Sequence, residues 1–202
     1  MKLLLTSNGL CNDAIKQELL NLVDHDLSKK VAVVTTASPG KHHDLYPKQS
    51  KEAFQELGFD FVFFHDFEED KTSLLHECDV IFLCGGDPYE LLHYMKISEA
   101  DRFIRSRINT DLVIIGNSAG TVVLGPSLDL VEYITPDLCP KGFVDDRGLG
   151  LVKDYIMVHA DNPKAFDQDK DFDLHRKVSE FCKLYKAPVL MLKDSDYVVY
   201  YL

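Results

Sequence analysis

The stretch Leu112-Val113-Ile114-Ile115-Gly116-Asn117-Ser118-Ala119-Gly120-Thr121-Val122-Val123-Leu124 decides the fold. Its first four residues are continuously apolar rather than alternating, as in a strand covered on both faces. The next five match G-x-S-x-G, a strand-to-helix elbow in which small residues flank a serine because neighbouring Cβ atoms would crowd the turn. The apolar TVVL that follows reads as a short helix whose N-terminal amides face the serine. A serine raised on such a turn is placed for nucleophilic chemistry, although the same glycine-serine pattern also builds plain turns and anion-binding loops.

Other segments carry the same strand signature: Leu3 to Leu5, Val31 to Val34, Phe61 to Phe64 and Val80 to Leu83. Between them lie segments of helical periodicity. Ile15, Leu19, Leu22 and Val23 share one face, as do Ala53, Phe54 and Leu57; Leu91, Leu92 and Met95 mark another helix, and Phe103, Ile104 and Ile108 the next. Alternation of strand and helix predicts an α/β chain with a mostly parallel sheet and crossover helices. Toward the C-terminus Tyr155 to Val158 reads as a strand running into His159, and Leu174 to Tyr185 as a helix. Val189 to Leu192 and Tyr197 to Tyr201 are expected to close the sheet as an antiparallel hairpin around the turn Asp194 to Asp196. With no linker in sight, residues 1–202 are expected to form one domain.

Composition narrows the function. The 202 residues carry 22 basic and 33 acidic side chains, a net charge of -11, so a nucleic acid or an anionic membrane is a poor partner. The five cysteines are an odd number without C-x-x-C spacing, and they are expected to be reduced thiols of a cytoplasmic protein. The run Leu3 to Leu5 is far shorter than a signal-peptide core. No metal motif or cofactor fingerprint appears, and the adjacent His42, His43 and Asp44 make a poor tetrahedral set. Neither a cofactor nor a metal is expected.

A second tight turn, Cys84-Gly85-Gly86-Asp87-Pro88, also ends a strand and precedes a helix, with Asp87 as its cap and Pro88 at its first position. Two such turns side by side at the carboxyl edge of a parallel sheet make a site. The backbone amides of Gly86 and Ala119 are then candidate oxyanion donors. Of eight histidines, His159 is the best candidate base because it ends an apolar strand, with His65 as runner-up. Asp129 and Glu132, after the elbow helix, are the candidate acids.

These elements together resemble the peptidase E family, peptidase family S51, which includes alpha-aspartyl dipeptidase and cyanophycinase. The resemblance is carried by Gly85-Gly86-Asp87 with Leu91-Leu92, by Gly116 to Gly120, and by Gly148-Leu149-Gly150-Leu151 ahead of His159. It implies a three-layer sandwich like that of class I glutamine amidotransferases, and a serine peptidase with Ser118 as nucleophile, His159 as base, and Gly86 and Ala119 as the oxyanion hole. The family's acid falls at Tyr133 here, with Glu132 adjacent and Asp129 close. Relatives that cleave after aspartate carry an arginine where this chain has Asp173, with Arg176 nearby.

Asp87, Asn117 and Arg176 are the candidate substrate-binding residues. The expected substrate is a short peptide with a free N-terminus, and the expected assembly a monomer or homodimer. The acidic loop from Asp161 through Asp167, Asp169 and Asp171 to Asp173, against Lys164 and Lys170, predicts that neutral or basic first residues are cleaved at least as well as aspartate. The competing expectation is a non-catalytic small-molecule binding or regulatory module on the same fold, which a Ser118–His159 separation beyond hydrogen-bond reach would favour.

Overall fold

The computed structural model describes residues 1–166 and 172–202. Eight strands form in chain order: β1 (Lys2–Thr6), β2 (Lys30–Val34), β3 (Phe61–His65), β4 (Val80–Leu83), β5 (Val113–Asn117), β6 (Tyr155–Met157), β7 (Val189–Met191) and β8 (Tyr197–Tyr201). Six of them make one sheet in the order β3-β2-β4-β5-β1-β8, parallel throughout except for the antiparallel edge strand β8.

The helices are α1 (Asp13–Leu22), α2 (Leu45–Glu56), α3 (Pro88–Ile97), α4 (Ala100–Ser106), α5 (Ala119–Val122), α6 (Asp129–Ile134) and α7 (Leu174–Tyr185). They cover both sheet faces, which is why the central strands read as continuous apolar runs. Leu4, Val31, Val33, Phe82 and Ile115 pack with Ile15, Leu19 and Phe54 of α1 and α2. Their neighbours Leu3, Val34, Ile81 and Ile114 point the other way, against Leu91, Leu92 and Ile104 of α3 and α4. The result is the three-layer α/β sandwich with a mostly parallel sheet, and alternate strand residues feed two separate cores.

The expected C-terminal hairpin is not formed. β7 pairs parallel with β6, Tyr155 opposite Val189 and Met157 opposite Met191, as a second small sheet. β8 leaves it to pair antiparallel with β1, Leu4 opposite Val199. Two strands joined by a short polar turn look like a hairpin locally. Here each has a better apolar partner elsewhere: Met157 lies in a cluster with Leu174, Val178 and Phe181 of α7, against which Val189 and Met191 pack.

Gly120 shows how tightly the elbow is packed. A Cβ on it would lie 2.2 Å from the carbonyl oxygen of Leu83 on β4, so α5 approaches the sheet by backbone contact. Gly120→Ala is therefore expected to lower unfolding free energy by about 3 kcal/mol, the upper end for overpacking a filled interior. Urea denaturation measures it, and a loss below about 1 kcal/mol would contradict this account of the packing.

Candidate active site

Ser118 lies between β5 and α5 with φ 50° and ψ -113°, a strained backbone for a residue with a side chain. The strain is held by bonds to β1. The Ser118 amide donates to the Thr6 carbonyl at 3.2 Å, and the Thr121 hydroxyl donates to the same oxygen at 2.6 Å. The Thr6 hydroxyl in turn donates to the Gly116 carbonyl at 2.7 Å. This buried network fixes the elbow against the neighbouring strand.

His159 follows β6 and sits across from the elbow. Its Nε2 is 2.9 Å from Ser118 Oγ, and its Nδ1 is 2.6 Å from Asp194 Oδ1. The carboxylate accepts, so Nδ1 carries the proton and Nε2 is left as the acceptor for the serine hydroxyl. Ser7, at the end of β1, accepts from the His159 amide at 2.7 Å and donates to Asp194 at 3.1 Å. The side-chain amide of Asn162 donates to the other Asp194 oxygen at 3.1 Å. Burial pushes the Asp194 carboxyl up, but the hydrogen bonds from His159, Asn162 and Ser7 outweigh it and hold the group below the ordinary carboxylate value.

Neither Asp129 nor Glu132 is brought to the imidazole, which corrects that expectation. Asp129 accepts hydrogen bonds from the hydroxyls of Ser127 and Tyr155 (2.9 Å for Tyr155), and Glu132 is exposed on the first turn of α6. The group beside His159 is Asp194, in the turn that follows β7. The pairing of β6 with β7 carries it there. The Ala160 amide donates to Leu192 and the Leu192 amide to Met157, so both chain ends leave the small sheet side by side. The Asp194 amide also donates to Asp161 Oδ1 at 2.9 Å, which fixes the turn. Ser7, Asn162 and Asp194 were all missed from sequence; the one available signal was polar residues directly after apolar strands.

His65, the runner-up base, ends β3, and β2 and β4 separate that strand from β5. It is buried, neither ring nitrogen has a hydrogen-bond partner among the described residues, and burial holds its pKa down. Cys84, at the edge of the cleft, has its thiol pushed up to about 12 by burial, so it is inert as a nucleophile at neutral pH.

Gly86 has φ +135°, and a Cβ there would fall 1.9 Å from the Ala37 carbonyl oxygen. Only glycine fits, and its amide, like that of Ala119, donates no hydrogen bond to the described residues. Both residues border the space beside Ser118. Asn117 lines the larger cleft on the other side of Ser118, and its buried Oδ1 has no partner among the described residues. Two expected substrate contacts are placed elsewhere. Asp87 caps α3, accepting from the Tyr89 and Glu90 amides at 2.8 and 3.1 Å, and borders a different groove. Arg176 is exposed on the first turn of α7, where its amide is capped by Asp173, and it lines neither cavity at Ser118. Asp167, Asp169, Lys170 and Asp171 lie outside the described residues.

Two cavities meet at Ser118. One is a cleft of about 710 Å³ bordered by Ser7, Ser38, Asn117 and Asn162 together with Leu45 and Tyr46. The other is a pocket of about 190 Å³ with mostly apolar walls. Among the described residues no three His, Cys, Asp or Glu side chains gather as a metal site, and no helix is long and apolar enough to cross a membrane.

Fold and site together define a class: α/β sandwiches with a strand–turn–helix serine at the carboxyl edge of a parallel sheet. The model of peptidase family S51 matches residues 3–201, and the chain belongs to that family. It is 26% identical over 147 residues to peptidase E of Nostoc sp. (strain PCC 7120 / SAG 25.82 / UTEX 2576), covering 73% of this chain and 58% of that protein. It is 27% identical over 156 residues to peptidase E of Streptomyces coelicolor, covering 77% and 62%. The match thus spans about three-fifths of these relatives' length. Among solved structures, a candidate peptidase E from Listeria monocytogenes EGD-e superposes with a TM-score of 0.75 at 21% identity, covering 100% of this chain and 98% of that one. A peptidase from an acI-B1 Actinobacterium gives 0.69 at 16% identity, covering 98% and 82%. These two likenesses are of fold.

Proposed function

We propose that this chain is a serine-type peptidase that hydrolyses short peptides through Ser118, His159 and Asp194. The observation that carries the reading is the continuous hydrogen-bond relay from Ser118 Oγ to His159 Nε2 at 2.9 Å and from His159 Nδ1 to Asp194 at 2.6 Å. A non-catalytic module would need no such relay, and the serine and imidazole are already within proton-transfer reach. Membership of a peptidase family supports the same reaction class.

In this mechanism Ser118 Oγ attacks the peptide carbonyl while His159 Nε2 takes the hydroxyl proton. Asp194 stabilises the imidazolium without being protonated itself. The developing oxyanion faces the free amides of Gly86 and Ala119, a term usually worth about 3–4 kcal/mol per donor. The C–N bond breaks as His159 returns its proton to the leaving amine. A water then enters and attacks the acyl carbon as it gives a proton to His159; the C–Oγ bond breaks as His159 returns that proton to Ser118 Oγ, which releases the acid and restores the site. Two cavities meeting at the nucleophile leave room for a residue on each side of the scissile bond, which suits a short peptide.

The test is covalent. Treatment with an alkyl fluorophosphonate is expected to add one phosphonyl group at Ser118, located by peptide mass mapping, and to abolish peptide hydrolysis in proportion to labelling. Hydrolysis that persists in fully labelled protein would reject the mechanism.

A further inference from the structure

We propose that the smaller cavity at Ser118 is the pocket for the side chain on the acyl side of the scissile bond, and that it selects a large apolar residue rather than an acidic one. The inference rests on the serine-peptidase reading and names the substrate class of that site. The cavity is bounded by Gly86 and Ala119, whose amides are the oxyanion donors, and by Ser118 itself. A carbonyl held on Ser118 with its oxygen between those amides presents the adjoining carbon, and so its side chain, to this space. The larger cleft on the other flank, where Asn117 and Asn162 stand, then receives the leaving residue and water.

The walls decide the chemistry. Val122, Val131, Ile134, Leu138, Met157 and Phe166 contribute apolar side chains to the lining, from α5, α6, β6 and the two short helical turns Pro136–Leu138 and Pro163–Phe166. Apart from the reacting groups Ser118 and His159, the one polar side chain at the wall among the described residues is Thr135. No lysine or arginine lines the pocket among the described residues, and Arg176 is exposed on α7. A substrate carboxylate entering here loses its hydration and meets no cation among the described walls, which disfavours it strongly. An apolar side chain gains in proportion to the surface it buries. Size agrees: an apolar cavity of about 150 Å³ holds a benzene molecule, and this one, at about 190 Å³, takes leucine, methionine or phenylalanine.

The experiment compares kcat/KM for dipeptides with Leu, Met, Phe, Ala, Lys or Asp in first position and a common second residue. In parallel, it compares the rates at which fluorophosphonates bearing isobutyl, methyl or carboxyethyl groups label Ser118. Leu- or Met-first peptides are expected to exceed Ala- and Asp-first peptides by at least about tenfold, with isobutyl labelling faster than carboxyethyl by a similar factor. Leu138 is 43% exposed at the pocket rim, so Leu138→Arg is expected to fold, to lower Leu-first cleavage and to raise Asp-first cleavage. A preference for Asp, a flat profile, or an unchanged ranking in Leu138→Arg overturns the pocket assignment. If Ser118 reacts with the phosphonates but shows no apolar preference, the pocket alone fails. If Ser118 is inert to all of them, the peptidase reading fails and the pocket with it.

Discussion

Replacement of Ser118 by alanine is expected to lower kcat for peptide hydrolysis by about 10⁴-fold or more, because losing the nucleophile of an acyl-transfer relay removes the whole covalent route. The fold should be unaffected. Among the described residues the Ser118 side chain bonds only to His159, whereas the strained elbow is held by the Ser118 amide on Thr6 and by Thr121, all of which remain. Alanine carries the same Cβ at φ 50°, so it adds no backbone strain. The measurement is turnover of a cleaved dipeptide, with circular dichroism and the urea midpoint as fold controls. Turnover within tenfold of the parent, with the fold intact, would show that another group attacks.

Asp194→Asn is expected to have the second largest effect, about 10³- to 10⁴-fold on kcat. The carboxylate accepts from His159 Nδ1 at 2.6 Å and so leaves Nε2 free to accept from Ser118. An amide at this position can turn its NH₂ toward the ring, which places the proton on Nε2, where it cannot receive the serine hydroxyl proton. It also removes the negative charge opposite the imidazolium. The side chain is 29% exposed and accepts from His159, Asn162 and Ser7, so loss of its charge also lowers stability somewhat, and the urea midpoint is measured beside kcat. Glu132→Gln is the matched control. That residue is exposed on α6 and has no bond to the relay, so its kcat/KM should stay within about twofold, as for surface sites away from special features. A large loss in Glu132→Gln together with full activity in Asp194→Asn would return the acid to α6 and reject the assignment drawn from the geometry.

The same contrast separates local from non-local information. β1 to β5 were legible because strands covered by helices on both faces must be continuously apolar, and VAVV or VIFL leave few other readings. The elbow was legible for a similar reason. Its constraint is steric and acts over five residues, so Gly116 and Gly120 sit in the sequence beside the serine they permit. His159 was legible as the polar residue that ends an apolar strand.

The acid was not legible, and neither was the path of the last two strands. Asp194 belongs to the polar run KDSD, which reads as a solvated turn, and 35 residues separate it from the imidazole it contacts. A short polar turn between two apolar segments specifies a reversal but not which strands the segments join. That choice follows from burial. β7 pairs with β6 and packs beside Phe181, Val178 and Leu174 of α7, while β8 crosses to pair with β1. The three residues expected to contact substrate divided in the same way, with Asn117 in the cleft and Asp87 and Arg176 at helix starts away from it. By itself the sequence determined the α/β alternation, the small-residue turn that carries Ser118 and the place of His159 just after a strand, because each is set by sterics or burial within a few residues. Only the tertiary structure decided which carboxylate meets His159, the Ser7 and Asn162 bonds around it and the apolar wall beside Ser118, because these depend on which distant segments find room to bury their apolar faces together.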